Sequence, residues 1–226
     1  MARAPKVEAP GGRSRSSQTP STRDRLVAAV LEIVRSDGLG ALTTVEITRR
    51  AGIAQPGFYK HFRNVDECLE EATTEALDGM RETFGAMRRR IRDRNDPAEV
   101  AAYFLAVLDA VAADRSFNEL LARYRRDTST LGRAVRDAEL RVMNDFVEEL
   151  WGQAKKAGIG AAYRGRVALV AELIFGALGA AIERVVDDPG ADRRALADDL
   201  AAFAIAGTRS CLGRLLADPD RRQRRT

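Results

Sequence analysis

The run Thr43-Thr44-Val45-Glu46-Ile47-Thr48-Arg49-Arg50-Ala51-Gly52-Ile53 decides the fold, together with the Ala54-Gln55-Pro56-Gly57-Phe58-Tyr59-Lys60-His61-Phe62 that follows it. Thr43 and Glu46 have the spacing of a capping box and open a short helix with Val45, Ile47 and Ala51. Gly52 supplies the freedom in φ that a tight turn needs, and Ile53 is placed to plug the gap between the flanking helices. Pro56 suits a first helical position, where its missing N–H costs nothing. A second very short helix then carries Phe58, Tyr59 and Phe62 and stops near Arg63. Short helix, glycine turn, short helix is a helix-turn-helix.

The flanks agree. Upstream, Ser21 and Asp24 form another capping box, and Leu26, Val27, Val30, Ile33 and Val34 repeat at helical spacing as far as Gly38. Downstream, Asn64 and Glu67 launch a long helix towards Ile91. A small core of Leu26, Val30, Ile47, Ile53, Phe58 and Phe62 would leave Gln55, Gly57, Tyr59, Lys60 and His61 on the outward face. Gln can read adenine bidentately, Pro offers apolar surface to a thymine methyl, and Thr, Tyr and His donate to phosphate oxygens.

Charge is compatible with this reading, although Arg outnumbers Lys throughout and charge alone decides little. Residues 1–66 hold 11 Lys and Arg against 6 Asp and Glu, whereas the rest of the 226 residues hold 26 against 27. A basic head on a near-neutral body suits a nucleic-acid module attached to a second domain.

Residues 21–70 resemble the N-terminal domain of TetR-family transcriptional repressors. The resemblance implies that Thr44, Tyr59 and His61 touch phosphates, and that Gln55, Pro56, Gly57 and Lys60 face the major groove or its rim. Two positions depart from the family pattern. Ala54 replaces the usual Ser or Thr before the recognition helix, and Val65 stands where a Lys commonly opens the next helix. Arg63 is the substitute for that Lys. The expected DNA-binding set is Thr43, Thr44, Gln55, Pro56, Gly57, Tyr59, Lys60, His61 and Arg63.

Beyond the head every segment reads as helix, for about nine in all and an all-α fold. The expected division is a disordered basic arm at 1–20, rich in Pro, Gly, Ser and Arg, and the DNA-binding domain at 21–66. An effector-binding and dimerisation domain at 67–217 and a basic tail at 218–226 complete it. Pro97 starts one body helix, Ser116 caps a short one, and a longer one runs from Leu131 to near Gly158. Two helices at about 162–187 and 192–216 are rich in small residues, among them Gly176, Gly179, Ala180, Ala202 and Ala206. They resemble the family's dimer face, which implies a homodimer reading paired half-sites.

Apolar residues of the middle helices, Phe104, Leu108, Phe117, Leu121, Tyr124, Val142, Phe146 and Phe175, are candidates to line an effector pocket. The segment Phe58-Tyr59-Lys60-His61-Phe62-Arg63-Asn64-Val65-Asp66 is also similar to the repressors of unsaturated fatty-acid synthesis. That likeness implies an acyl-CoA or fatty acid as effector, acting in fatty-acid metabolism. The alternative effector is a xenobiotic controlling drug efflux.

Other classes find little support. The single His lies in the DNA-binding motif, and no phosphate loop, nucleophile elbow or carboxylate pair points to an enzyme. Cys68 and Cys211 are far apart without metal-ligand neighbours, so neither disulfide, metal nor cofactor is expected, and a cytoplasmic protein fits. An interaction module without DNA binding would leave the three caps and the basic head unexplained. The first twenty residues lack the apolar core of a secretory signal. The most apolar stretch, 167–182, contains Glu172 and is shorter than the roughly 20 residues that span a bilayer, so no membrane partner is expected.

Overall fold

The structure, a computed structural model, describes residues 20–217. The expected arm, up to Thr19, and the tail at 218–226 lie outside the described residues. Nine α-helices and two short 3₁₀ turns make up the described fold, with no strand among those residues. The helices α1 (Thr22–Asp37), α2 (Thr44–Ala51) and α3 (Gln55–Phe58) form the head. The body consists of α4 (Val65–Arg89), α5 (Pro97–Ala113), α6 (Arg115–Tyr124), α7 (Thr130–Lys156), α8 (Arg164–Asp187) and α9 (Arg193–Ala217).

Local chemistry sets the head's boundaries. Ser21 and Asp24 exchange both bonds of a capping box, each 3.1 Å. Thr43 makes only half of one: its hydroxyl accepts the Glu46 N–H at 3.2 Å, without the expected return bond. The Glu46 carboxylate is taken instead by Arg49, at 2.6 Å, and Arg50, at 3.0 Å. Gly52 ends α2 with φ of 65°, and the Ile53 N–H bonds back to the Thr48 carbonyl at 2.9 Å. Ala54 precedes α3 without a side-chain capping bond, as its methyl dictates.

Leu26, Val30, Ile33, Ile47 and Phe58 are wholly buried in the head, and Phe62 nearly so, while Ile53 packs half-buried against them. Phe58 anchors this small core, with its ring 5.7 Å from that of Phe62. Truncation of such a ring leaves a cavity, so Phe58→Ala should cost about 3–5 kcal/mol in denaturant unfolding. A cost below about 1 kcal/mol would mean that the head is not built around this residue.

The same hydrophobic cluster continues through Cys68, Leu69, Ala72 and Leu77 of α4, Phe117 and Leu120 of α6, and Leu131, Val135 and Ala138 of α7. Packing is therefore continuous across residue 66. Arg35 of α1 reinforces the contact, donating to Asp114 at 2.7 Å with its guanidinium 5.9 Å from the Phe117 ring. Asp114 closes α5 and opens α6, so Ser116 is not the cap that the sequence suggested. The buried Asn118 amide serves this corner, donating to the Asp114 carbonyl at 2.8 Å and to that of Val111 at 3.2 Å.

Two further clusters hold the body. One joins α5 to α8 and α9 around Phe104, Leu108, Ile174 and Leu200; the other joins α7 to α8 and α9 around Trp151, Val167 and Leu215. The 27-residue stretch Ala161–Asp187 is long and apolar enough to cross a membrane by length and composition alone, a test that core helices of soluble proteins also pass. The helix runs on through the charges that flank the most apolar residues. Only 22% of its most apolar window is buried inside the chain.

Candidate nucleic-acid interface and effector cavity

The head presents one polar face. Gln55, Pro56 and Lys60 are exposed, and Tyr59 is 58% exposed, its ring set edge-on to Phe58 at 5.5 Å. Thr43 is exposed and its hydroxyl still has a hydrogen to donate after accepting the Glu46 N–H. Thr44 and His61 are half-buried. Gly57 is small for a steric reason, because a Cβ there would lie 2.7 Å from the Ile53 side chain. Any other residue would require the Ile53 methyl to shift.

Ion pairs fix this face to its support. Arg23 donates to Glu71 at 2.6 Å and to the His61 carbonyl at 2.9 Å, with its guanidinium 4.4 Å from the Phe62 ring. One side chain thus ties α1, α4 and the end of the recognition segment. Arg49, followed by Arg50, holds the Glu46 carboxyl down to about 2 from its ordinary 4.5. The contribution of this clasp is therefore complete above about pH 4.5 and is lost as pH falls through about 2. The Glu67 carboxylate accepts from the Arg63 backbone N–H at 2.7 Å and from its Nε at 3.1 Å, leaving an outstretched guanidinium 87% exposed.

The body contains a cavity of about 340 Å³ between the end of α4, the α4–α5 loop, α5, α7, α8 and α9. This lies within the usual range of small-molecule sites. Val100, Phe104, Phe146, Ile174 and Leu212 give it apolar walls, and Arg88, Arg94, Tyr103 and Arg209 give it polar ones. Arg88 is buried, with its guanidinium 5.4 Å from the Phe146 ring, and its Nε donates to Glu149 at 2.5 Å. Arg94 donates to the same carboxylate. Burial, followed by the charge on Arg88, weakens the hold of Arg94 on its proton.

Residues 26–72 match the sequence model described as bacterial regulatory proteins, tetR family. The head of this chain carries the sequence pattern of that family's N-terminal domain. The architecture of the chain agrees with solved structures over most of its length. A tetR-family transcriptional regulator from Streptomyces coelicolor covers 88% of this chain and 90% of its own, with TM-score 0.66 and 19% identity. FadR from Bacillus subtilis, in complex with stearoyl-CoA, covers 81% and 97% at TM-score 0.63 and 17% identity. Thermus thermophilus FadR, a TetR-family repressor in complex with lauroyl-CoA, covers 82% and 94% at TM-score 0.58 and 17% identity. At such identities the likeness shows the fold.

Within this fold the eight candidate pocket residues go to different places. Phe104 and Phe146 line the cavity. Leu108 is fully buried in the α5–α8–α9 core. Phe117, Leu121 and Tyr124 pack instead into the head's cluster, because α6 turns back against α1. Val142 and Phe175 are half-buried and do not line the cavity. The sequence reading missed the cavity's polar half, Arg88, Arg94, Tyr103 and Arg209, since charged residues on amphipathic helices read as solvent-facing. Val45, named among the apolar residues of its helix, is instead 61% exposed beside Thr44 at the start of α2.

Proposed function

We propose that this regulator is a cytoplasmic, operator-binding repressor, a homodimer joined through α8 and α9, whose grip on DNA is set by an acyl chain bound in the body cavity. The observation that carries this reading is the cavity itself, apolar along Phe104, Phe146 and Ile174 and lined by three arginines. An acyl chain ending in an acid, or carried as its coenzyme A ester, matches both halves. The FadR proteins with stearoyl-CoA and lauroyl-CoA share the fold and give the proposal chemical company. A cationic drug would meet like charge at these arginines, which disfavours the efflux-regulator alternative.

In the DNA complex, Gln55, Pro56 and Gly57 lie at the base edges, with Lys60 at the groove rim. Thr43, Thr44, Tyr59, His61 and Arg63 serve the phosphates. Two heads must meet successive major-groove faces about 34–36 Å apart. The helix α4 runs from Val65 beside the recognition segment to Arg88 at the cavity, so a ligand that moves its far end re-aims the head. A ligand with equal affinity for both arrangements would shift nothing.

Calorimetry and operator titration with a series of saturated acyl-CoAs and their free acids test the reading. Affinity should climb with chain length, by about 0.8 kcal/mol for each methylene buried, until the cavity is full. Operator affinity should change with bound chain, and free coenzyme A should have no effect. Binding of a cationic aromatic drug, with no acyl chain bound in either form, would replace this proposal with the efflux reading.

A further inference from the structure

Glu149 of α7 does not itself line the cavity, but it organises two guanidiniums that do. One of its oxygens accepts from the Arg88 Nε at 2.5 Å, and the other accepts from an Nη of Arg94. That Arg94 nitrogen also reaches the Arg88 carbonyl at 3.3 Å, which keeps the two side chains adjacent. The Arg88 Nη1 lies 3.4 Å from the Tyr103 hydroxyl, and its guanidinium rests near the Phe146 ring.

One carboxylate thus serves two guanidiniums, each of which carries five N–H donors. The side chain of Arg88 is only 7% exposed and that of Arg94 is 30% exposed. Buried charge is costly unless matched, and this wall of the cavity carries an excess of positive charge. Arg209 adds a third guanidinium farther out, 3.5 Å from the exposed Asn95 side chain. The missing counter-charge would be compact, because about 340 Å³ must also hold the apolar part of the ligand. Coenzyme A carries its charges on phosphates far from the thioester, and such a moiety would lie outside the cavity.

We propose that Arg88 and Arg94, held side by side by Glu149, form a receptor for a compact acidic head group inside the cavity, so that the effector is the free carboxylate of an apolar chain. This rests on the reading of the cavity as the effector site and deepens it. The carboxylate accepts from the donors that Glu149 leaves unused, while its chain runs along Phe104, Phe146 and Ile174.

The test compares four ligands of one chain length on the full-length protein by calorimetry: lauric acid, dodecanol, dodecyltrimethylammonium and lauroyl-CoA. Lauric acid should bind at least about tenfold more tightly than dodecanol, and the cation more weakly than either, as charge-assisted bonds to arginine require. In Arg94→Gln the advantage of the acid over the alcohol should fall below about threefold, with dodecanol within about twofold of its original affinity. The wild-type comparison stands by itself if that variant does not fold. Equal binding of acid and alcohol to wild type would overturn the receptor and leave the effector reading standing. Binding of lauroyl-CoA without lauric acid would do the same. Failure of every twelve-carbon ligand would overturn the effector reading and this inference with it.

Discussion

Gln55→Ala is expected to weaken binding of the dimer to its operator by about a hundredfold or more, and to relax preference at the base that Gln55 reads. A bidentate contact to a base contributes about 1–3 kcal/mol, and a two-fold complex makes it twice, while about 1.4 kcal/mol is a decade of affinity. Gln55 is exposed at the start of α3 and makes no contact that the fold requires, so the protein should remain folded. Tyr59→Phe should weaken binding to a comparable degree but alike on every sequence, because its hydroxyl is assigned to phosphate. Its ring packs edge-on against Phe58, a contact that phenylalanine keeps. Fluorescence anisotropy on the operator and on single-base variants separates the two signatures. Unchanged affinity in both folded variants would remove α3 from the interface.

The head was legible in the sequence because its signals are local. Ser21, Thr43 and Asn64 each cap a helix within three residues of themselves, and Gly52 marks the turn by the one backbone region that glycine favours. Where a signal depended on a competitor, it failed in part. Glu46 has the capping-box spacing, yet Arg49 and Arg50 hold its carboxylate. The body helices followed from periodicity, but periodicity names only the buried face. It cannot say whether that face meets side chains or a void, nor which helix it meets. Phe117 and Phe146 look alike as apolar points on helices, yet one closes the head's core and the other walls a cavity. The cavity's arginines were less accessible still, since Arg88, Arg94 and Glu149 converge from α4, a loop and α7.

Gly176→Arg is expected to leave each chain folded and abolish the dimer, reducing operator affinity by about two orders of magnitude or more as paired heads become single ones. Small residues in α8 and α9 could serve either internal packing or a second copy, and the structure divides them. Ala171, Ala181, Ala201 and Ala204 are buried within the chain. Gly176, Ala180, Ala202 and Ala206 are exposed, in company with Leu169 at 54%, Leu173 at 55% and Phe203 at 49%. Leu169, Leu173, Gly176 and Ala180 recur at intervals of four, three and four, so they share one face of α8. A Cβ at Gly176, Gly179 or Gly207 would find no atom within 4 Å, and added bulk therefore clashes with nothing inside the chain. An arginine at a close-packed partner surface would bring overlap and an unpaired charge. Gly176→Ala is the control: one methyl removes glycine's helix penalty of about 1 kcal/mol and should raise thermal stability with the dimer intact. Sedimentation velocity of both variants decides the matter alongside circular dichroism. A Gly176→Arg protein that stays dimeric would move the interface away from α8, and the exposed leucines would then need another partner. A monomer with undiminished helicity could owe its loss of DNA binding only to the missing second copy, since nothing within its own fold would have changed.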